Sequence, residues 1–311
     1  MIGELNEELV WMGQPASHVS DLTLESVLGH LPIFERHDFG ENEYLDVILR
    51  LPFGGDSRTI PVGSVSKRYF LIQHRELVQR IISGLEGVAI KAVDVPVELW
   101  ISEYGERIRL QCRCSQRPLD PGDEFPLFLS ADCFNSVDKT CALEVRMFWL
   151  RVACMNGLMI KEKASLRKIH DMVWMKRQDT GQFIREHLER SDAHFRIVQE
   201  SMKKRTNLTR IGIWVDKVVA EHWTKEAAAR VYHICSTGFD GAVAPAKKGT
   251  LPHEHEVSSD KLVPGACAPV RTAYHAAQAL SWVASGRSVV EDQIGWTRKI
   301  HQLIEKLDCT T

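Results

Sequence analysis

The sequence predicts an α+β fold, in which an N-terminal antiparallel sheet with a β-hairpin precedes a helix-rich C-terminal half packed on it. The hairpin is indicated by period-two alternation on both sides of Tyr104-Gly105, a plausible two-residue turn. Further strand-like runs lie before residue 150, whereas apolar residues recur at helical spacing after residue 180. Strand-rich and helix-rich halves in this order favour α+β over α/β organisation.

The hairpin is expected from runs at residues 97–103 and 106–112. Other strands are expected at residues 44–51, 62–70, 125–131 and 140–149. The first sixty residues are otherwise read as irregular, because glycine and proline interrupt them. A helix is predicted over residues 74–85, and a short helical segment is expected to stop near Asn156-Gly157.

The C-terminal half is predicted to be helical, with one interruption. Apolar stripes indicate helices at residues 182–204, 211–236, 270–284 and 288–307. Glycine and proline between them indicate a mobile loop. These boundaries divide the chain into an acidic segment (1–60), a β-rich core region (61–170), a helical region (171–237), a flexible loop (238–267) and a C-terminal helical hairpin (268–311).

Charge is distributed unevenly along the chain, although the net charge is only −2. Residues 1–60 hold eleven acidic residues and three arginines, whereas residues 161–210 hold thirteen basic and seven acidic residues. This asymmetry fits a protein that presents a positive face to an anion, and it equally fits ordinary helix surfaces of mixed charge.

Composition excludes several classes of protein. No apolar run reaches the roughly 18 residues of a membrane span, and the N-terminus is acidic, unlike a signal peptide. The eight cysteines are scattered through mostly apolar stretches, which indicates reduced thiols rather than a disulfide framework. We therefore expect a cytoplasmic protein that does not enter a membrane.

One face of the hairpin is the main candidate binding surface. Alternation places Leu99, Ile101, Ile108, Leu110 and Cys112 together, facing the core. The opposite face, called here the hairpin face, carries Trp100, Arg107, Arg109, Gln111 and Arg113. Outward-pointing guanidinium groups beside an indole suit phosphates and unstacked bases, so this face predicts single-stranded DNA or RNA as partner. An ordinary solvent-facing polar strand would look similar.

Two further basic stretches could extend such a groove. Lys67, Arg68 and Tyr69 repeat the combination of base and aromatic on a second expected strand, and Lys161 and Lys163 open a basic run. The last two helices carry much apolar surface, which would complete the core or form a homo-oligomer.

A complete catalytic centre is not recognisable, so enzymatic activity stays open. Asp132 and Glu144, with Arg146 near them, are the nearest approach to a metal-dependent nuclease. A zinc site built from Cys112, Cys114, His253 and His255 has poor spacing, and Cys154 with His170 lacks the setting of a reactive thiol. No phosphate-cradling glycine loop is present. We assign no catalytic residue, metal or cofactor.

Three separated segments resemble a family of phage- and plasmid-related proteins that is known only as a domain of unknown function. They are SVSKRYFLIQHRELV, LEVRMFWLRVACMNGLMIKEKASLRKIHD and TAYHAAQALSWVAS, and the second contains Arg151-Val152-Ala153-Cys154-Met155-Asn156-Gly157. The resemblance covers roughly residues 60–310. It implies a mobile genetic element, near replication and recombination genes, and supplies no reaction.

Together these observations predict a protein that binds single-stranded nucleic acid and serves recombination or replication of a phage or plasmid, with strand annealing as one form of that role. The first alternative is the metal-dependent nuclease using Asp132 and Glu144. The second is a protein-interaction component of a mobile element's defence or counter-defence system, acting through the acidic N-terminal segment.

Overall fold

The computed structural model describes residues 9–115, 118–121, 125–151, 156–159, 165–168 and 180–308. The chain divides into two compact units. The first unit comprises Met1–Arg117, Leu129–Phe148 and Glu162–Ser191, and the second comprises Pro118–Phe128, Trp149–Lys161 and Asp192–Thr311. Strands in the N-terminal half and helices in the C-terminal half confirm the α+β class.

An antiparallel sheet is the main element of the N-terminal half. Its hydrogen-bonded strands follow the order β1-β2-β6-β7-β8-β9-β10, and β11 also pairs with β9. The strands are β1 (Val10–Trp11), β2 (Gln14–Thr23), β6 (Pro96–Ser102), β7 (Arg107–Arg113), β8 (Leu127–Ser136), β9 (Leu143–Arg151), β10 (Asn156–Met159) and β11 (Ser165–Lys168).

The predicted hairpin is confirmed in its register. β6 pairs with β7 so that Ile101 lies opposite Ile108, and Trp100 lies opposite Arg109. The turn contains Gly105, whose φ of 77° is readily adopted only by glycine. The apolar face of the hairpin is buried, as alternation predicted, because one face of an antiparallel pair packs on the core.

A second, three-stranded sheet in the first unit consists of β3 (Phe34–Asp38), β4 (Leu45–Arg50) and β5 (Ile60–Ser66). Its buried side chains form a small core with Tyr69 and Val137. Arg36 binds the Asp46 carboxylate and donates to the carbonyl oxygens of Lys67 and Tyr69, at 2.7 Å each. The segment that follows β5 is thereby fixed against β3.

Helix α1 (His74–Glu86) packs against α2 (Thr180–Glu189) at two glycines. A Cβ built on Gly84 would lie 2.4 Å from the Cα of Gly181, so the two backbones are in direct contact. Buried His74 holds the start of α1: its ring accepts from Asn135 at Nδ1 (2.9 Å) and donates from Nε2 to the Gly105 carbonyl (2.8 Å).

Helices dominate the second unit. They are α3 (Ser191–Lys203), α4 (Leu208–Trp214), which continues through a π-helical turn (Val215–Val219) to Ala220–His222, α5 (Lys225–Thr237), α6 (Ala273–Ser285) and α7 (Val290–Asp308). Side chains of Asn207, Thr224 and Thr272 cap α4, α5 and α6 by accepting backbone N–H groups. Trp214 donates to the Leu303 carbonyl (2.9 Å) and so ties α4 to α7.

Between α5 and α6, residues 238–267 contain short ordered elements. β12 (Phe239–Asp240) pairs with β13 (Lys261–Leu262), and a 3-10 turn spans Pro252–Glu254. Asp240 accepts from Arg230 at 2.8 and 2.5 Å and from the Trp282 indole at 2.8 Å. These bonds join the β12–β13 pair to α5 and α6.

Several predicted elements were wrong. The first sixty residues are not irregular, because β2 has ten residues and pairs with β6 along the large sheet. Asn156-Gly157 does not end a helix, because both residues belong to β10. β5 ends at Ser66, so Lys67, Arg68 and Tyr69 follow the strand rather than lying on it. The helix expected at residues 182–204 is two helices, α2 and α3.

None of the described helices has both the length and the apolarity that a membrane span requires.

Candidate nucleic-acid interface

The hairpin face continues into a row of rings and guanidinium groups that crosses the large sheet. Strand register places His18, Trp100, Arg109 and Phe134 side by side on β2, β6, β7 and β8. His18 stacks on Trp100 with centroids 4.5 Å apart, and the Arg109 Cζ lies 4.6 Å from the Trp100 ring. The Arg146 Cζ lies 4.7 Å from the Phe134 ring. Cation–π contacts therefore hold the row together.

Arg109 is paired within the protein. Its Nε donates to Asp132 Oδ1 at 2.8 Å and its Nη2 donates to Asp132 Oδ2 at 3.2 Å. The residues are 5% and 3% exposed, so water has little access to the pair. Such a fork-to-carboxylate contact is a strong charge-assisted interaction, and it occupies the side of the guanidinium that a phosphate would use.

Arg107 is enclosed in the same way. Its Nη2 donates to Asp138 at 2.8 Å, its Nε donates to the Thr140 hydroxyl at 2.9 Å, and it is 6% exposed. Glu106 lies 3.3 Å from its Nη1, which also donates to the Trp11 carbonyl. This guanidinium joins β7 to the β8–β9 turn and to β1.

The expectation that the hairpin face points Arg107 and Arg109 into solvent was therefore wrong. Alternation located the face correctly, but the neighbouring strand β8 and the turn after it supply carboxylates that neutralise both side chains. Arg113, opposite Ser130, is half-buried, and so is Trp100, whose ring is already engaged by His18 and Arg109.

The second predicted basic stretch is also largely engaged. Lys67 binds Asp38 and Asp46 at 2.5 Å each, and the hydrogen bond with Asp38, followed by that with Asp46, raises its pKa. Tyr69 is buried and donates to the Ser136 carbonyl at 3.2 Å, so its ring is not available for stacking on a base. Burial raises the pKa of Tyr69 well above its usual range. Arg68 is exposed.

Lys161 and Lys163 lie outside the described residues, as do Cys154 and His170. The first unit thus brings Trp100, Arg107 and Arg109 together, as the sequence predicted. It holds them as an internal network.

The carboxylates of the nuclease alternative are both engaged by arginine. Asp132 accepts from Arg109, and Glu144 accepts from the Arg146 Nε at 2.6 Å. Within the described ranges no group of three or more His, Cys, Asp or Glu side chains is placed to hold a metal ion. Cys112 and Cys114 are buried thiols, and His253 binds Asp216 at 2.5 Å. The nuclease function stays an untested prediction.

Arg146 carries unused hydrogen-bonding capacity in this network. It is 1% exposed, and its Nη1 and Nη2 have no hydrogen-bond partner. The Gln111 Oε1 is buried without a partner as well. Buried polar groups without partners cost free energy. This network therefore stabilises the fold less than a fully paired network would.

A different set of cations is exposed, in the second unit. Lys203, Lys204, Arg205 and Arg271, called here the basic cluster, are all exposed. The end of α3 pairs antiparallel with the start of α6: Thr206 donates to the Arg271 carbonyl (3.0 Å), Ala273 donates to the Lys204 carbonyl (2.9 Å), and Arg205 lies opposite Thr272. From the sequence, three of these residues entered only the count of basic residues over 161–210, and Arg271 was not identified.

The acidic N-terminal segment also has a structural counterpart. The loop between β3 and β4 exposes Phe39 (50%) and Tyr44 (78%) among the exposed acids Asp38, Glu41 and Glu43. Exposed aromatic side chains among acids are compatible with a protein partner. Binding of such a partner stays a prediction.

The protein thus has an α+β fold, a buried ionic network in the first unit and an exposed basic cluster in the second unit. Neither a protein-family model, nor a curated protein, nor a solved structure matched this chain. The resemblance to mobile-element proteins accordingly stays a prediction.

Proposed function

We propose that this protein binds nucleic acid through the phosphate backbone, and that the basic cluster of the second unit is the contact surface. The observation that carries the proposal is the backbone pairing that brings Arg271 beside Lys204 and Arg205. The Lys204 carbonyl accepts from Ala273, so Arg271 is a diagonal neighbour of Lys204 across the paired segments.

Neighbouring charge supports a positive potential at this surface. Lys203 binds Glu200 at 2.8 Å, and the pKa of Glu200 is lowered by this hydrogen bond, then by the charges of Lys203 and Lys204. Lys204, Arg205 and Arg271 are exposed, and we expect their side chains to contact the phosphates. Lysine and arginine on an exposed ridge bind phosphate oxygens without reading bases.

The expected ligand is single-stranded DNA or RNA, bound with little sequence preference. A short cation cluster makes few contacts, and a flexible strand adjusts its phosphates to them more readily than a duplex does. The resemblance to phage- and plasmid-related proteins supports a role in recombination or replication. Binding of this kind is expected to weaken steeply with salt, because it releases condensed counterions.

The variant Lys204→Gln, Arg205→Gln, Arg271→Gln is expected to bind a labelled single-stranded oligonucleotide more weakly and with less salt dependence. Loss of three phosphate contacts should reduce the slope of log K against log salt by about 2. Fluorescence anisotropy at several salt concentrations, with single-stranded DNA, duplex DNA and RNA as probes, measures both effects. Glutamine leaves unchanged the backbone N–H and C=O groups through which residues 204–206 pair with residues 271–273.

A matched control removes the same charge elsewhere in the second unit. Lys225, Lys247 and Lys248 are exposed, and their replacement by glutamine should leave the salt slope nearly unchanged. If the wild-type chain binds none of the three probes at low salt, the proposal is wrong. Equal losses in the two triple variants would also contradict it, because they would indicate a net-charge effect rather than a site.

A further inference from the structure

A small pocket in the second unit brings two thiols together with a buried amide. The end of α5 contributes Cys235, α6 contributes His275 and Gln278, and the segment between β13 and α6 contributes Cys267. The remaining lining is apolar, and the space has room for about one water molecule. We call this space the thiol pocket.

Gln278 gives the thiol pocket unused hydrogen-bonding capacity. The residue is only 5% exposed, and neither its Nε2 nor its Oε1 has a hydrogen-bond partner. A buried amide normally has both groups satisfied. A small molecule in the pocket that donates one hydrogen bond and accepts another would satisfy both.

The two thiols differ in how they meet solvent. Cys235 is buried, and burial, followed by the charge of Cys267, raises its pKa to about 12. Cys267 is half-buried, and its thiol donates over a long distance, 3.7 Å, to the Pro269 carbonyl. Cys267 is therefore the more accessible of the two thiols to an oxidant, and Cys235 is the buried one.

We propose that the thiol pocket is an oxidation site for hydrogen peroxide, with Cys267 as the attacking thiol and Cys235 as the resolving thiol. Peroxide is close to water in size, and its O–H groups both donate and accept, which matches the space and the Gln278 amide. The side chain of His275 lines the same pocket, and Thr272 holds its Nδ1 at 2.9 Å.

The chemistry takes place in two balanced steps. The Cys267 thiolate attacks one peroxide oxygen, the O–O bond breaks, and Cys267 becomes a sulfenic acid while hydroxide leaves. The Cys235 sulfur then attacks the Cys267 sulfur, the S–O bond breaks, and water leaves with the Cys235 proton. Peroxide is reduced, and the two thiols are oxidised to one disulfide.

Burial raises the pKa of Cys235 and so slows the second step, because the thiolate is the attacking species. Sulfenic acid at Cys267 should therefore persist long enough for a carbon-acid reagent such as a cyclic 1,3-dione to trap it. In Cys235→Ser the trapped species should accumulate, and in Cys267→Ser neither the adduct nor the disulfide should form.

The test treats the reduced full-length protein with hydrogen peroxide and maps every cysteine by mass spectrometry. A Cys235–Cys267 disulfide is expected. Cys141 is the internal control, because it is also half-buried but does not line the thiol pocket. Its oxidation should be slower than that of Cys267 by about tenfold.

The Gln278→Leu variant tests whether the pocket amide, rather than simple exposure of the Cys267 thiol, sets the rate of oxidation. This variant should slow peroxide oxidation of Cys267 several-fold and leave its alkylation by iodoacetamide unchanged. The proposal is overturned if Cys267 oxidises no faster than Cys141, or if the oxidised Cys267 pairs with a cysteine other than Cys235. Equal peroxide rates in Gln278→Leu and wild type would likewise overturn it.

Discussion

Replacing Asp132 with alanine is expected to lower the free energy of unfolding by about 3–5 kcal/mol. The change leaves the Arg109 guanidinium, which is 5% exposed, without its carboxylate partner in a setting that water hardly reaches. The contacts of Arg109 with the Trp100 and Phe134 rings remain, but no carboxylate then balances its buried charge. Urea denaturation followed by circular dichroism measures the loss.

Two companion variants test whether burial of the Arg109–Asp132 pair causes this loss of stability. Asp38→Ala removes an exposed carboxylate from an ion pair with Lys67 and should have a much smaller effect, because solvent screens that pair. Replacing Arg109 with Met together with Asp132 with Leu should recover most of the loss, because no unpaired charge remains. If Asp132→Ala costs no more than Asp38→Ala, the Arg109 guanidinium is open to water after all.

Replacing Gly84 with alanine is expected to destabilise the protein by about 3 kcal/mol, the upper part of the range for overpacking. The new methyl group would lie 2.4 Å from the Cα and the carbonyl oxygen of Gly181, and both are backbone atoms that no rotamer change can move aside. Helices α1 and α2 would have to separate, and the contacts between them would be lost. Thermal and urea unfolding measure the change.

Gly295 offers a matched control on α7. It is also a helical glycine, but a Cβ built there meets no heavy atom within 4 Å. Gly295→Ala should therefore stabilise the protein by about 0.5–1 kcal/mol, since alanine restricts the unfolded backbone and favours helix. A Gly84→Ala variant as stable as the wild-type protein would contradict the close contact of α1 and α2.

The hairpin shows how far sequence reasoning reaches. The register of β6 and β7 could be predicted from residues 97–112, because alternation and a two-residue turn together fix which side chains share a face. The burial of that face could not be predicted. It depends on Asp132 and Asp138, which belong to β8 and the turn after it, and only the pairing of β7 with β8 brings them to Arg109 and Arg107.

The errors in the predicted local structure also arise because pairing between strands overrides the local sequence signal. β2 was missed because its sequence, QPASHVSDLT, has little apolar alternation, and its pairing with β6 supplies the order that its own propensity lacks. Asn156-Gly157 is a common helix stop, yet both residues lie in β10, where sheet context overrides the local signal.

The basic cluster lay beyond sequence reasoning for a topological reason. Lys203, Lys204 and Arg205 are adjacent in the sequence and read as the charged end of a helix, which the helix dipole alone would favour. Arg271 joins them only because the residue after it caps α6 and pairs with Arg205. A contact of that kind is visible only in the folded chain.

Labelling of arginine side chains by a dicarbonyl reagent, mapped by mass spectrometry on the folded chain, tests the buried network most directly. Arg58, whose side chain is 75% exposed, should react quickly, together with Arg205 and Arg271. Arg107, Arg109 and Arg146 should stay unmodified until the protein is unfolded. Reaction of Arg107 and Arg109 in the folded chain at the rate of Arg58 would contradict the network and return the hairpin face to consideration as a binding surface.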